Sequence, residues 1–161
     1  MSEDIYNKLL SLGQLLLSKS LTIAFAESAT AGAMSAGFAL VPDAGKFLKG
    51  GLVCYDAGLK IDLLGVSKDQ LEKYTPESST VTHAITVGLQ KLIPADIHVG
   101  CTGLTCAGGS ETPDKPVGTM FLCAMQGKKV LMEEKICFQG SREEIVSKTI
   151  AYFSSRLETC L

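Results

Sequence analysis

Apolar residues recur along this chain with two periods, and the switches between them outline the elements. Ile5, Leu9, Leu12, Leu16 and Leu17 share one helical face, which predicts a helix over residues 4–19. Leu21 to Ala26 is a short unbroken apolar run, the mark of a buried strand. Residues 30–41 are alanine-rich with Met34, Phe38 and Leu40, and read as a helix that Pro42 stops. Gly50-Gly51 then precedes a second strand, Leu52 to Tyr55. Lys60 to Leu64 is expected as a short helix with Asp56 as a candidate N-cap. Two more helices are expected at 67–74 and 78–92, started by Ser67 and Ser78; Val81, Ile85, Leu89 and Leu92 form a stripe on the second. Ile97 to Thr102 alternates and reads as a third strand. Gly103 to Pro116 has no period, two prolines and a Gly-Gly, and reads as an irregular loop. Val117 to Met125 and Val130 to Phe138 are expected as strands joined by a hairpin at 126–129. Ser141 and Glu144 have capping-box spacing, and Ile145, Thr149, Ile150, Phe153 and Leu157 continue as the last helix. The order gives an α/β domain with helices on both faces of a mixed sheet, the hairpin supplying an antiparallel pair.

Composition narrows the class. The chain has 161 residues, a length that suits one domain over residues 1–161. Hydrophobic residues make up 46% and charged residues 20%, which excludes general disorder. With 15 basic against 17 acidic side chains there is no basic excess, so neither nucleic acid nor an anionic membrane is the expected partner. Mean hydropathy of +0.24 is high and points to a sheet buried on both faces or to a subunit interface. The longest uncharged stretch, Ser28 to Pro42, is shorter than the roughly 20 apolar residues of a membrane span. The acidic start, Glu3 and Asp4, does not resemble a secretory signal. Cys54, Cys101, Cys106, Cys123, Cys137 and Cys160 form no CxxC pair, so reduced, buried cysteines in a cytoplasmic protein are expected and no metal.

Candidate chemistry lies at strand ends. No Walker A, GxGxxG, HExxH, GxSxG or SxxK motif is present. His83 and His98 lie outside the loops and read as solvated or structurally bonded. In AFAESATAG, Ser28 follows a strand and precedes a helix, where side chains of open α/β folds meet ligands and helix N–H groups can hold a phosphate or oxyanion. Ser28 or Thr30 as a simple helix cap is the competing reading. Tyr55 ends the second strand, and Lys60, five residues on, is either a surface lysine or the base for a serine hydroxyl. Thr102 ends the third strand before a glycine loop that is either a ligand nest or merely flexible. Arg142 starts the last helix and is either solvated or a phosphate clamp. Spacing alone goes no further than a possible anion-binding, Ser/Lys-type hydrolase site.

At these segments the chain resembles the CinA C-terminal domain family, whose stand-alone members are nicotinamide-nucleotide amidases of the PncC type. The resemblance runs from about Tyr6 to Leu157, carried by TIAFAESATAG, FLKGGLVCYDAGLKIDLLGV, Thr102-Gly103, KPVGT at Lys115 to Thr119, and FQGSREEI at Phe138 to Ile145. It implies a single three-layer α/β/α domain with a mixed sheet, forming homodimers or larger homo-oligomers. It implies hydrolysis of the carboxamide of nicotinamide mononucleotide to nicotinate mononucleotide and ammonia, with no cofactor and no metal. By this resemblance Ser28 is the nucleophile and Lys60 its base, with Tyr55 and Thr102 also catalytic. Glu27, Thr30, Gly103, Gly108, Gly109 and Arg142 are the expected substrate contacts. The chain departs from the usual AESCTGG at Ala29 and Ala31, from YSN at Asp56 and Ala57, and from GIAGP at Leu104 to Ala107, including Cys106. These departures keep two alternatives open: a lapsed domain that binds a nucleotide or protein partner, and an amidase for another substrate. The resemblance covers only this domain, and no counterpart of the separate N-terminal domain of larger CinA proteins is expected.

Overall fold

A computed structural model describes residues 2–161. Its elements are α1 (Glu3–Ser18), β1 (Ile23–Glu27), α2 (Ala33–Ala39), α3 (Ala44–Phe47), β2 (Leu48–Val53), α4 (Ala57–Asp62), α5 (Lys68–Tyr74), α6 (Ser79–Leu92), β3 (Ile97–Gly103), β4 (Thr119–Gln126), β5 (Lys129–Cys137) and α7 (Arg142–Cys160). The five strands form one open sheet in the order β2-β1-β3-β4-β5. The first three run parallel, and β4 and β5 run antiparallel to their neighbours, as a mixed sheet requires.

The side chains of β1 explain the layers. All five are buried. Ile23 and Phe25 enter one core with α1, α2, α3 and α7, whereas Ala24 and Ala26 enter a second with α4 and α6. Large residues fill the first face, where Phe25 stacks on Phe38 at 5.3 Å and meets Phe153 edge-on at 6.0 Å. Small residues on the second face let α6 lie close to the strands.

Local signals place most helix starts. Asp56 caps α4, Ser67 caps α5 and Ser78 caps α6 through their side chains, and Ser141 with Glu144 forms the capping box of α7. Several boundaries differ from the sequence reading: α4 runs over Ala57–Asp62 rather than Lys60 to Leu64, and β2 ends at Val53, so Tyr55 lies beyond the strand. β2 begins at Leu48, so Gly50 and Gly51 lie inside the strand rather than before it. A Cβ on Gly51 would stand 2.2 Å from Ser35 Oγ, so glycine here admits α2 against the strand. The helix expected over 30–41 is shorter, and the short α3 follows Pro42. The strand expected from Val117 starts at Thr119. Of the six free cysteines only Cys54, Cys101 and Cys123 are buried; Cys106 and Cys160 are half-buried and Cys137 is exposed. No described helix is long and apolar enough to cross a membrane.

Candidate active site

β1 and β3 are parallel neighbours whose carboxyl ends sit at the same sheet edge, and the chain leaves β1 for β2 on one side and returns to β3 on the other. That reversal opens the crevice where open α/β sheets receive ligands. Ser28 stands there, one residue beyond β1, with its N–H donating to the Cys101 carbonyl at 2.9 Å. Lys60 projects from α4 to the same point. Its Nζ donates to Ser28 Oγ at 3.1 Å and to the Cys54 carbonyl at 2.9 Å.

Lys60 is 1% exposed. Burial holds its pKa below the ordinary 10.5, with Cys54, Glu77 and Asp56 acting weakly in the other direction. A lysine that sheds its proton more readily, within hydrogen-bond reach of a hydroxyl, has the two properties of a general base. The surface-lysine reading of Lys60 is therefore corrected.

A cavity of about 200 Å³ opens over Ser28. Ala29, Tyr55, Glu77 and the loop from Gly103 to Gly109 line it. The N–H groups of Ala29, Thr105 and Cys106 have no backbone acceptor among the described residues. Ala29 follows the nucleophile candidate directly, the position from which a backbone donor reaches a tetrahedral oxyanion.

Expectations for the neighbouring residues divide. Ser28, Tyr55, Gly103, Gly108 and Gly109 meet at this cavity. Glu27 does not reach it. Its carboxylate is fully buried and accepts from Thr30 Oγ1, from the N–H groups of Gly32, Met34 and Ser35, and from Ser35 Oγ, at 2.6–3.0 Å. Those donors are the ones expected to hold a phosphate or oxyanion at the start of α2. Glu27 fills that place itself, so neither Ser28 nor Thr30 caps the helix. Thr30 thus serves Glu27 rather than a ligand. Thr102 is also turned away: its buried hydroxyl lies 2.8 Å from Thr82 Oγ1, which donates onward to the Ser78 carbonyl. Thr102 ties β3 to α6. Arg142 sits exposed at the start of α7, outside the cavity lining. His98 is buried with Nε2 2.8 Å from the Ile93 carbonyl, and the partly exposed His83 lies 3.9 Å from Glu133; neither lines the Ser28 cavity.

Glu77 carries no sequence signal of its own, and KPVGT marks Lys115 without saying what it meets, because the chain brings the two together from distant segments. Lys115 Nζ donates to Thr75 Oγ1 at 2.7 Å, to the Glu77 carbonyl at 2.9 Å and to Ser110 Oγ at 2.7 Å. Ser110 Oγ in turn donates to Glu77 Oε2 at 2.5 Å. This cluster pins the glycine loop to the α5–α6 connection. The loop's other end is fixed at Gly118, whose φ is +95°; a Cβ there would fall 1.9 Å from the Phe138 carbonyl oxygen. The KPVGT segment thus closes the loop at both a cation and a required glycine.

A family model of the CinA C-terminal domain matches residues 7–161. The CinA-like protein of Dictyoglomus thermophilum is 42% identical over 131 residues, which cover 81% of this chain and 31% of that protein. The CinA-like protein of Thermotoga maritima is 37% identical over 136 residues, 84% of this chain and 33% of that one. The chain thus spans about a third of the length of these curated relatives. A crystal structure of a CinA superfamily protein from Escherichia coli, 25% identical, superposes with a TM-score of 0.91 over 100% of this chain and 94% of its own. Competence damage-inducible protein A from Klebsiella pneumoniae shares the fold at a TM-score of 0.91, with 22% identity over 96% of this chain and 95% of that one. With the matched model spanning nearly every described residue, the chain belongs to the CinA C-terminal domain family.

Proposed function

We propose that this domain hydrolyses a carboxamide on a nicotinamide nucleotide, giving nicotinate mononucleotide and ammonia from nicotinamide mononucleotide. The observation that carries the reading is the contact between buried Lys60 and Ser28 at the floor of a cavity. In the first step neutral Lys60 takes the Ser28 proton as Oγ bonds to the amide carbon. The carbonyl becomes an oxyanion, for which the Ala29 N–H is the nearest backbone donor in sequence. One such donor is worth roughly 3–4 kcal/mol of barrier in well-studied hydrolases. Lys60 then returns the proton to the leaving nitrogen, the C–N bond breaks and ammonia departs. Water, deprotonated by Lys60, attacks the acyl-enzyme and releases the acid and Ser28. The cavity is smaller than the roughly 300 Å³ at which small-molecule pockets usually begin, so it suits the ring and its amide. Ribose and phosphate then extend past Tyr55 towards solvent.

Ammonia release from nicotinamide mononucleotide tests the reading. Release by the wild type should fall by a factor on the order of 10³ or more in Ser28→Ala and in Lys60→Met, with folding retained. Undiminished release from Ser28→Ala removes the covalent scheme. Binding of the nucleotide without release from the wild type turns the reading to a binding domain.

A further inference from the structure

We propose that Glu77 is a specificity-determining residue of the Ser28 cavity and selects an amide carried on a positively charged ring. The inference rests on the amidase reading only for the place where the amide sits.

The cavity lining holds one carboxylate, Glu77, and one aromatic ring, Tyr55, and no basic side chain among the described residues. One Glu77 oxygen accepts from Ser110; the other, Oε1, has no partner among the described residues. Glu77 is half-buried, where a charge is less screened than on the open surface. Lys115, the cation beside it, offsets part of its charge but reaches the carboxylate only through Ser110 and leaves Oε1 without a hydrogen bond among the described residues. Its three protons are committed to Thr75, the Glu77 carbonyl and Ser110, so it also has none left for a ligand phosphate. Lys60 lies beneath Ser28 and outside the lining, so Glu77 is the one charged side chain that faces the cavity among the described residues. Tyr55 is 60% exposed at the rim and can present its ring to a cation.

A nicotinamide substituted at the ring nitrogen carries a fixed positive charge on that ring. With its amide at Ser28, a cavity of about 200 Å³ keeps the charged ring close to Glu77. Free nicotinamide has the same amide and ring but no charge. The site therefore separates the two by electrostatics on the ring, before any contact to ribose or phosphate.

The test uses Ser28→Ala protein, so that binding is read without turnover, and titrates nicotinamide and 1-methylnicotinamide by NMR or calorimetry. The cation should bind about tenfold tighter or more, as expected for a unit charge pair a few ångström apart at a half-buried site. Adding Glu77→Gln, which keeps the shape and the acceptor for Ser110, should bring the two ligands to within a factor of about two. Adding Ser110→Ala, which loosens the loop but keeps the carboxylate, should preserve the preference and so separates charge from loop order. The proposal is overturned by equal binding of the two ligands, by no binding of the cation at millimolar concentration, or by a preference that survives Glu77→Gln. Wild-type protein that releases no ammonia while the cation preference holds removes the amidase reading alone. Turnover of the nucleotide with no cation preference removes this proposal alone.

Discussion

Ala31 occupies the left-handed region with φ +49°, and Gly32 beside it has φ +94°. A Cβ in that region is crowded by its own backbone, which costs about 1–2 kcal/mol for a residue other than glycine. Ala31 bears this strain because Glu27 over-determines the turn with five donors. Ala31→Gly should therefore stabilise the fold by about 0.5–1 kcal/mol, the strain relieved minus the added freedom of the unfolded chain. A rise in the chemical-denaturation midpoint at unchanged slope would register it, whereas a fall would mean that the turn is not strained. The same turn fixes where Ser28 stands, so the substitution is a stability change next to the nucleophile candidate and not in it.

At the scale of elements, α4 has only six residues and carries Lys60 to the site. A helix that short depends on its ends. Asp56 holds the first turn, its Oδ1 accepting from the Gly58 N–H at 2.7 Å. Asp56→Ala should cost about 1 kcal/mol of stability and Asp56→Asn much less, since asparagine caps nearly as well. Equal losses in the two variants would show that charge near Lys60, not capping, is what Asp56 supplies. This cap, like those of Ser67, Ser78 and Ser141, was legible in the sequence because donor and acceptor lie within three residues. The apolar stripes of α1, α6 and α7 were legible because a period repeats. Legibility stops where a partner comes from elsewhere in the chain. Gly51 is admitted inside β2 by the close approach of Ser35 from α2, and the role of Thr102 depends on Thr82. Glu27 was misread for the same reason: its donors lie up to eight residues ahead, in a turn whose shape no local pattern announces. Glu77 joins the site only because Lys115 and Ser110 close the loop over it.

At the scale of the whole molecule, burying Lys60 links stability to pH. The folded chain holds Lys60 below its ordinary pKa of 10.5, because two packed layers and the cavity floor keep water from it. Below the folded value the lysine is charged in both states, and the fold carries the whole cost of burying that charge. As pH rises through the folded value, the native chain releases the proton while the unfolded chain keeps it until near 10.5. The unfolded state binds more protons in that window, so stability from this group rises with pH. Lys60→Met fills the same space without the charge and should stabilise the protein by about 1–3 kcal/mol at pH 7 while abolishing turnover. The gap between variant and wild type should then narrow as pH approaches 10.5, since both then bury a neutral side chain. Denaturant unfolding of both proteins across neutral to alkaline pH reads this directly. A gap that stays constant with pH would mean that Lys60 titrates alike in both states, which would remove the buried base from the mechanism.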